Sequence, residues 1–398
     1  MAISFCLSAR GFFRMNILHT SDWHIGKRLM DRERLPEQTE ALEELVCICE
    51  RERVDVVLVA GDVFDTFMPS AEAEEVFFRA VKRLAGDRRA VVLISGNHDD
   101  GVRLAASAPL SAEEGIYLFG GGRRSLPAGG ARGVHAVQSG ENYILLENEA
   151  GERLFVNALP YPNEARLREE KTEESYPEKV SRWIASGGRA RPAGAPYVLL
   201  THLFAAGGVS GESERDIELG GARVVPLACF PEDAFTALGH LHKRQRLRDN
   251  VYYSGSLLQY SFDEANIPKS AALLTTKGDK VIFSKEISLV SGKKLVRLEA
   301  AGVEQALMLL QRYEGAFIEL TLHLTAPLTS RETMSLREAN EGLVSLIVRT
   351  QAAIETPEVV RSTLSSGELF AAYYQSVYGE DPSDELKEAF LQLLAEDA

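Results

Sequence analysis

Cysteine is scarce in this chain of 398 residues. The four present, Cys6, Cys47, Cys49 and Cys229, form no CxxC pair and suggest no disulfide framework, which fits a reducing, cytoplasmic compartment. Long apolar runs are also missing. None reaches the roughly eighteen residues that span a bilayer, so no membrane segment is expected. Positive charge is in deficit: a formal net charge of −14 argues against a chain that binds nucleic acid by electrostatics alone. If DNA is the substrate, basic loops or a partner must supply much of the affinity. Internal repeats and low-complexity tracts are absent as well. What remains is a chain with 45% apolar residues, long enough for two or three domains with a sizeable core.

Residues 1–14 carry a short apolar stretch and arginines, with no small-residue cleavage site after them. The strand pattern begins at Met15, so the first fourteen residues are read as a non-native or disordered extension rather than a secretory signal. Beyond it, short apolar runs alternate with helical patterns. Asn16 to Thr20 reads as a strand. Glu37 to Arg53 places Leu42, Leu45, Val46 and Cys49 on one helix face. Val54 to Ala60 is a β-branched run suited to a strand buried on both faces. Ala71 to Leu84 is helical with Ser70 as N-cap, and Ala90 to Ser95 is another buried strand. This order predicts an α/β fold with parallel crossovers. Gly120 to Gly133 and Ser186 to Pro196 read as loops, and Pro162 to Lys179 as a highly charged stretch. Strands are expected within Asn142–Asn157, which holds two runs, and at Tyr197–Thr201, Ala234–Leu238, Val251–Ser254 and Ala271–Thr275. From Ser284 to Gly292 the character changes. Val296–Ala300, Glu304–Tyr313 and Ala316–Leu324 read strand–helix–strand, followed by a helix near Leu336–Ile347, enough for a small α+β domain. From Leu364 two amphipathic helices follow, with Leu369, Phe370, Tyr373 and Val377 on one face and Leu386, Phe390, Leu393 and Leu394 on the other. Gly379 closes the first helix and Asp381-Pro382 opens the second.

Five short elements carry the chemistry. Asp22 and His24 follow the first strand, an i, i+2 pair that points one way in extended backbone. Asp62 follows VDVVLVA, and Asn97, His98 and Asp99 follow AVVLIS. His202 ends YVLLTH, and His240 and His242 follow AFTALG. Each is a weak signal alone, since a single strand-end histidine is usually a satisfied structural residue. Together they are strong. Ligands of open α/β sheets bind beyond the carboxyl ends of the strands, every element sits at such an end, and five of the eight histidines fall inside the set. The glycines before Asp62, Asn97 and His240 let the backbone turn beside a crowded ionic centre. Carboxylate, imidazole and amide donors without thiolate favour Mn²⁺, Fe²⁺ or Zn²⁺. Seven donors (Asp22, His24, Asp62, Asn97, His202, His240, His242) are too many for one ion and suffice for two if a carboxylate bridges. Two ions roughly 3.5–4 Å apart can share a hydroxide and neutralise a phosphate.

The series D-x-H, G-D-x-x-D, G-N-H-D, strand-ending His and G-H-x-H resembles the calcineurin-like metallophosphoesterase superfamily. HTSDWHIG, VAGDVFD, SGNHD, RDIELGG, ALGHLHKRQ and YSGSLLQYSFDE are similar, more closely, to the SbcD family of nuclease subunits, over roughly Met15 to Lys269. That resemblance implies a β-sandwich flanked by helices over residues 15–285, a small α+β capping domain at 286–355 and a C-terminal helix pair at 360–398 that grips a partner. It implies one metal on Asp22, His24, Asp62 and His242, and a second on Asp62, Asn97, His202 and His240. The ions would be two Mn²⁺, with Mg²⁺, Fe²⁺ or Zn²⁺ as alternatives. His98 would face the scissile phosphate without ligating, oriented by Asp99. In Gly61-Asp62-Val63-Phe64-Asp65 the last residue is Asp where some relatives have His, so the DNA contact of that His does not carry over.

The implied activity is a DNA nuclease of end processing, recombination and repair: a 3′→5′ exonuclease on duplex ends and an endonuclease on single strands and hairpins. The implied partners are DNA and an SbcC-like ABC-type ATPase with a coiled coil, in a heterotetramer built on a nuclease homodimer. The alternative enzyme is a small-substrate phosphodiesterase of the same superfamily, which has no need of the C-terminal additions. A metal-free scaffold is the non-enzymatic reading, and the complete donor set argues against it. His19, His135, His323, Cys47 and Cys49 read as structural. Lys243, Arg244, Arg246 and Arg248 form a basic cluster next to the last motif that suits either a solvated turn or phosphate contact. The glycine-rich loop Ala205–Gly221, with Arg215 and Asp216, suits a mobile rim.

Overall fold

The computed structural model describes residues 14–121, 126–130, 133–163, 173–211, 214, 223–350, 366–378, 381–384, 386–387 and 389–391. The segment 1–13, Arg215, Asp216, Gly379, Leu393 and Leu394, together with the side chains of Tyr373 and Val377, lie outside what is described.

Two sheets form the body. The first runs β13-β12-β1-β2-β3-β4, with β1 (Asn16–Thr20), β2 (Val56–Ala60), β3 (Ala90–Ile94) and β4 (Ile116–Phe119) parallel, and β12 (Ser270–Lys277) and β13 (Lys280–Ser288) added antiparallel. Every residue of β2 and β3 is buried, as their unbroken β-branched runs demand of strands covered on both faces. Helices α1 (Leu35–Arg51) and α2 (Ala71–Ala85) make the crossovers and contribute Leu42, Leu45, Phe77 and Leu84 to the same core. Ser70 caps α2 by accepting the Ala73 N–H at 3.3 Å.

The second sheet runs β10-β11-β9-β8-β7-β6-β5. Its centre is parallel: β7 (Arg153–Leu159), β8 (Tyr197–His202), β9 (Phe235–Gly239) and β11 (Val251–Tyr253). β10 (Gln245–Arg248) on one side, and β6 (Tyr143–Asn148) and β5 (Val134–Gly140) on the other, close it antiparallel. The helix Tyr176–Gly188 packs Val180, Trp183 and Ile184 against Phe155 and Leu199. It begins at a Ser175/Glu178 capping box, which makes a helix of part of the charged stretch and of the start of the expected Ser186–Pro196 loop.

A third sheet, β14-β15-β16, comprises Leu295–Ala300, Phe317–Leu324 and Leu343–Thr350. Here one expectation is corrected. The helix lies at Ser330–Ala339, not near Leu336–Ile347, because a Thr329/Glu332 capping box starts it early and the Asn340 side chain ends it. Asn340 donates to the Leu310 carbonyl at 2.8 Å and accepts the Gly342 N–H at 2.8 Å. The freed LVSLIVRT run then pairs as a strand, as its β-branched residues favour.

The described residues of 350–398, with 324–327, form a separate compact unit. Within it the helix Ser366–Tyr378 stacks Phe370 on Phe390 with ring centres 4.2 Å apart, while Leu369, Leu386 and Leu391 stay exposed. Among the described residues no helix is long and apolar enough to cross a membrane.

The two large sheets approach closely where β2 and β9 end. A Cβ on Gly239 would lie 1.8 Å from the Ala60 carbonyl oxygen, a backbone contact that no rotamer change relieves. Gly239→Ala should therefore cost about 1–3 kcal/mol of stability, read as a lowered melting temperature of the metal-free protein. An unchanged melting temperature would mean that the sheets do not approach so closely.

Candidate metal centre

The five motif segments meet at the carboxyl ends of β1, β2, β3, β8 and β9. Short backbone bonds lock their loops together: Asp22 N–H donates to the Gly61 carbonyl at 3.0 Å, and His24 N–H to the Asp62 carbonyl at 3.0 Å. The sheets are tied by His240 N–H, which donates to Asp22 Oδ1 at 3.0 Å. The turns are strained. Asp22, His24, Asp62 and His240 all have positive φ, at 51°, 44°, 48° and 107°, a region that costs a non-glycine residue about 1–3 kcal/mol and clusters at functional sites. Gly96 makes room for Asp62, since a Cβ there would fall 2.0 Å from Asp62 Oδ1.

All seven expected donors converge. His24 Nε2 and His242 Nε2 are 3.0 Å apart. Asp62 Oδ2 lies 3.7 Å from His24 Nε2 and 3.3 Å from His202 Nε2. Asn97 Oδ1 sits 2.8 Å from His202 Nε2 and 3.0 Å from His240 Nδ1. Asp22, His24 and His242 form one group close enough to hold an ion; Asp22, Asp62 and His202 form another; His24, Asp62 and His98 form a third. Except for Asn97 and His98, which are partly exposed, every one of these side chains is buried.

Asp99 is placed differently from expectation. Its carboxylate accepts the N–H groups of Val63, Phe64 and Gly96 at 3.1, 2.9 and 2.8 Å, so it stitches the β2 loop to the β3 loop. The ring of His98 is held instead by the Asp65 carbonyl, 2.9 Å from Nδ1. The His98 ring is thus bonded by Asp65, while the Asp99 carboxylate bonds backbone. The Asp65 side chain meets Lys27 Nζ at 2.8 Å and His24 Nδ1 at 3.3 Å. Gln38 of α1 is a further support that sequence reasoning missed: it donates to the His24 carbonyl at 2.8 Å and accepts the Gly26 N–H at 2.9 Å. Its only signal is a polar residue on an otherwise apolar helix face.

The charges are balanced internally. Burial pushes the Asp62 carboxyl up, but the neighbouring His202 and His24 outweigh it and hold Asp62 well below the usual range. Burial disfavours a charged His202, yet Asp62 and Asp22 raise it to about 9. Burial lowers both His24 and His240 to about 3, leaving them as neutral imidazoles, the form that binds metal. Burial also raises Asp22. The donor set fits divalent cations. Two imidazole Nε2 atoms at 3.0 Å can share at most one proton between two lone pairs, whereas a cation satisfies both, and the O/N composition without sulfur suits Mn²⁺, Fe²⁺ or Zn²⁺.

The remaining candidates are mostly engaged elsewhere. Arg244 pairs with Glu286, Arg246 with Asp249 at 3.1 Å, and Arg248 donates to Asn250 Oδ1 at 2.8 Å. Lys243 is exposed. His19 is buried against Tyr252 and lowered by burial to about 3, Cys49 is buried, and His323 lies on β15, 3.5 Å from Glu299.

The calcineurin-like phosphoesterase family model matches residues 15–244. The chain is 35% identical to a protein of Bacillus subtilis named as the SbcD component of the nuclease SbcCD, over 95% of this chain and 97% of that one. It is 33% identical to the protein of that name from Rhodobacter capsulatus, over 90% of this chain and 94% of the relative. A solved dimetal phosphatase from Danio rerio aligns at 12% identity and a TM-score of 0.36, over 70% of this chain and 99% of that one, too low a likeness to carry any inference.

The proton on His202 gives the centre a pH dependence with a definite sign. Below about 9 the metal-free His202 is protonated and must release that proton to ligate, so divalent binding should release protons and tighten as pH rises, by up to about tenfold per unit. Calorimetry in buffers of different ionisation enthalpy reads both quantities. Binding that is independent of pH and releases no proton would contradict this charge assignment.

Proposed function

The chain belongs to the calcineurin-like phosphoesterase family, and on that footing we propose that it is the nuclease subunit of an SbcCD-type complex, a metal-dependent enzyme that hydrolyses DNA phosphodiesters. The observation that carries this reading is the convergence of seven O and N donors, the buried Asp62 among them, at one set of strand ends, in a chain aligned with named nuclease subunits over nearly its whole length.

Asp22, His24, Asp62 and His242 would hold one divalent ion, and Asp62, Asn97, His202 and His240 a second, with Asp62, whose Oδ2 lies near both His24 and His202, shared between them. Two Mn²⁺ would suit the mixed oxygen and nitrogen donors. When bound, divalent ions supply charge neutralisation at the phosphate and a reactive nucleophile at neutral pH. The protein's own part centres on His98. A carbonyl only accepts, so the bond to Asp65 keeps a proton on Nδ1 and leaves Nε2 to face substrate. In its imidazolium form Nε2–H complements the phosphate charge and protonates the leaving oxygen, which otherwise departs as a poor alkoxide. Asp99 serves by fixing the loop that carries His98.

The polarity and substrate preferences follow the family: 3′→5′ exonuclease on duplex ends, endonuclease on single strands and hairpins. With a net charge of −14 the nuclease depends on a partner for much of its DNA affinity. That partner is an ABC-type ATPase with a coiled coil, bound through residues 360–398, where Leu369, Leu386 and Leu391 are exposed. The nuclease acts in the cytoplasm, as a homodimer within a heterotetramer, with residues 15–285 as the nuclease domain and 286–355 as its cap.

Incubation with Mn²⁺ and hairpin or single-stranded DNA tests the reading. The parent should cleave, and His98→Ala should lose about 10²–10⁴-fold in rate while still binding Mn²⁺. Cleavage of small phosphodiesters alone would point instead to the small-substrate enzyme.

A further inference from the structure

The segment Tyr253–Glu264, YSGSLLQYSFDE, supplies none of the seven donors, yet it lies behind three of them. Ser254 Oγ is 2.8 Å from Ser21 Oγ, which in turn bonds Asp22 Oδ2 at 2.5 Å. The Tyr260 ring packs edge-on against His24 and His242, with centres 5.6 and 5.8 Å apart. Glu264 reaches furthest. Its Oε1 lies 3.2 Å from His242 Nδ1, the ring nitrogen opposite the one that faces His24.

Glu264 is 2% exposed and Lys269 is 7% exposed, so this polar group is internal. Lys269 Nζ pairs with Glu264 Oε2 and also donates to the His242 carbonyl at 2.9 Å and Ser256 Oγ at 2.8 Å. Glu264 Oε1 further accepts from Tyr260 N–H at 3.3 Å and Ser261 Oγ at 3.2 Å. A second buried carboxylate, Glu214, accepts the His242 backbone N–H. His242 is thus held by its ring, its N–H and its carbonyl at once.

We propose that Glu264, held by Lys269, is a positioning residue that fixes His242 in the Nδ1–H tautomer and so presents the Nε2 lone pair to a divalent ion. The proposal rests on the metal-centre reading above and concerns metal affinity, not the choice of substrate. A carboxylate offers only acceptors, so the ring must place its proton on Nδ1. Metal-ligating histidines commonly use such an outer carboxylate, and its loss typically weakens metal binding about 10–100-fold. The Asp65 carboxylate also lies 3.3 Å from Nδ1 of the neighbouring His24, but outside hydrogen-bonding geometry, so His242 is the better held of the two facing imidazoles.

Glu264→Gln distinguishes positioning from a merely structural ion pair. The Lys269 ammonium demands an oxygen, so the amide turns its NH₂ toward His242 Nδ1. Glu214 Oε1, 3.7 Å from Nδ1, is beyond hydrogen-bond reach, so the ring is driven to the Nε2–H tautomer, which has no Nε2 lone pair to offer a metal. Mn²⁺ titrated into the full-length metal-free protein, with free Mn²⁺ followed by electron paramagnetic resonance, should show affinity weakened about tenfold or more in E264Q. Adding K269M removes the ammonium, lets the amide oxygen return to Nδ1 and should recover much of that affinity. Folded E264Q with parental Mn²⁺ affinity would overturn the proposal. Should E264Q not fold, Glu264→Asp, which keeps the charge and withdraws it from Nδ1 by one methylene, takes its place with the same two outcomes. If Mn²⁺ binding behaves as stated but DNA is not cleaved, the nuclease reading fails and this one stands.

Discussion

A carboxylate held dry at the meeting point of two sheets is the constraint on which the rest of the structure depends. Asp62 sits at the end of a strand whose every residue is buried, in a left-handed backbone conformation. An ionised carboxylate there is expensive unless it is paired. In the metal-free protein the pairing comes from the protonated His202 at 3.3 Å and from the His98 N–H at 2.9 Å. The fold around it is the means of bringing those partners from strands far apart in sequence.

That demand accounts for local features that would otherwise be costly. Four motif residues with positive φ store strain, and it is held by loop-to-loop hydrogen bonds such as those from Asp22 and His24 to the β2 loop. Asp99 joins that loop to the next one. Gly96 and Gly239 have no side chain because the space is already taken by Asp62 and by the Ala60 carbonyl. An outer set of Asp65, Gln38, Glu214, Glu264 and Lys269 surrounds His24 and His242, meeting their backbone groups and ring nitrogens.

Much of this is legible in the sequence, and the parts that are not share a physical character. Buried parallel strands announce themselves as β-branched runs, and donors at the ends of β1, β2, β3, β8 and β9 announce a centre. Strand β5, whose VHAVQSG is half exposed, lacks that signature and does not stand out from the glycine-rich loop before it. LVSLIVRT passes for the end of a helix because the Asn340 stop acts through a side-chain bond to Leu310, thirty residues back in the chain. The supporting residues are the least legible of all. His240 meets Asp22 across a separation of 218 residues, and Glu264 is an ordinary glutamate until the turn at Phe262–Glu264 aims it at His242. Asp99 resembles a partner of His98 by adjacency, but its carboxylate bonds backbone N–H groups of the β2 loop and of Gly96 in its own loop.

The central claim is that Asp62 joins two metal positions into one centre. Anomalous scattering at the manganese edge, from crystals grown with Mn²⁺, tests it most directly. The account predicts two peaks roughly 3.5–4 Å apart, one among Asp22, His24 and His242 and one among Asn97, His202 and His240, with Asp62 touching both. A single peak, or a pair that leaves Asp62 uncoordinated, would contradict it.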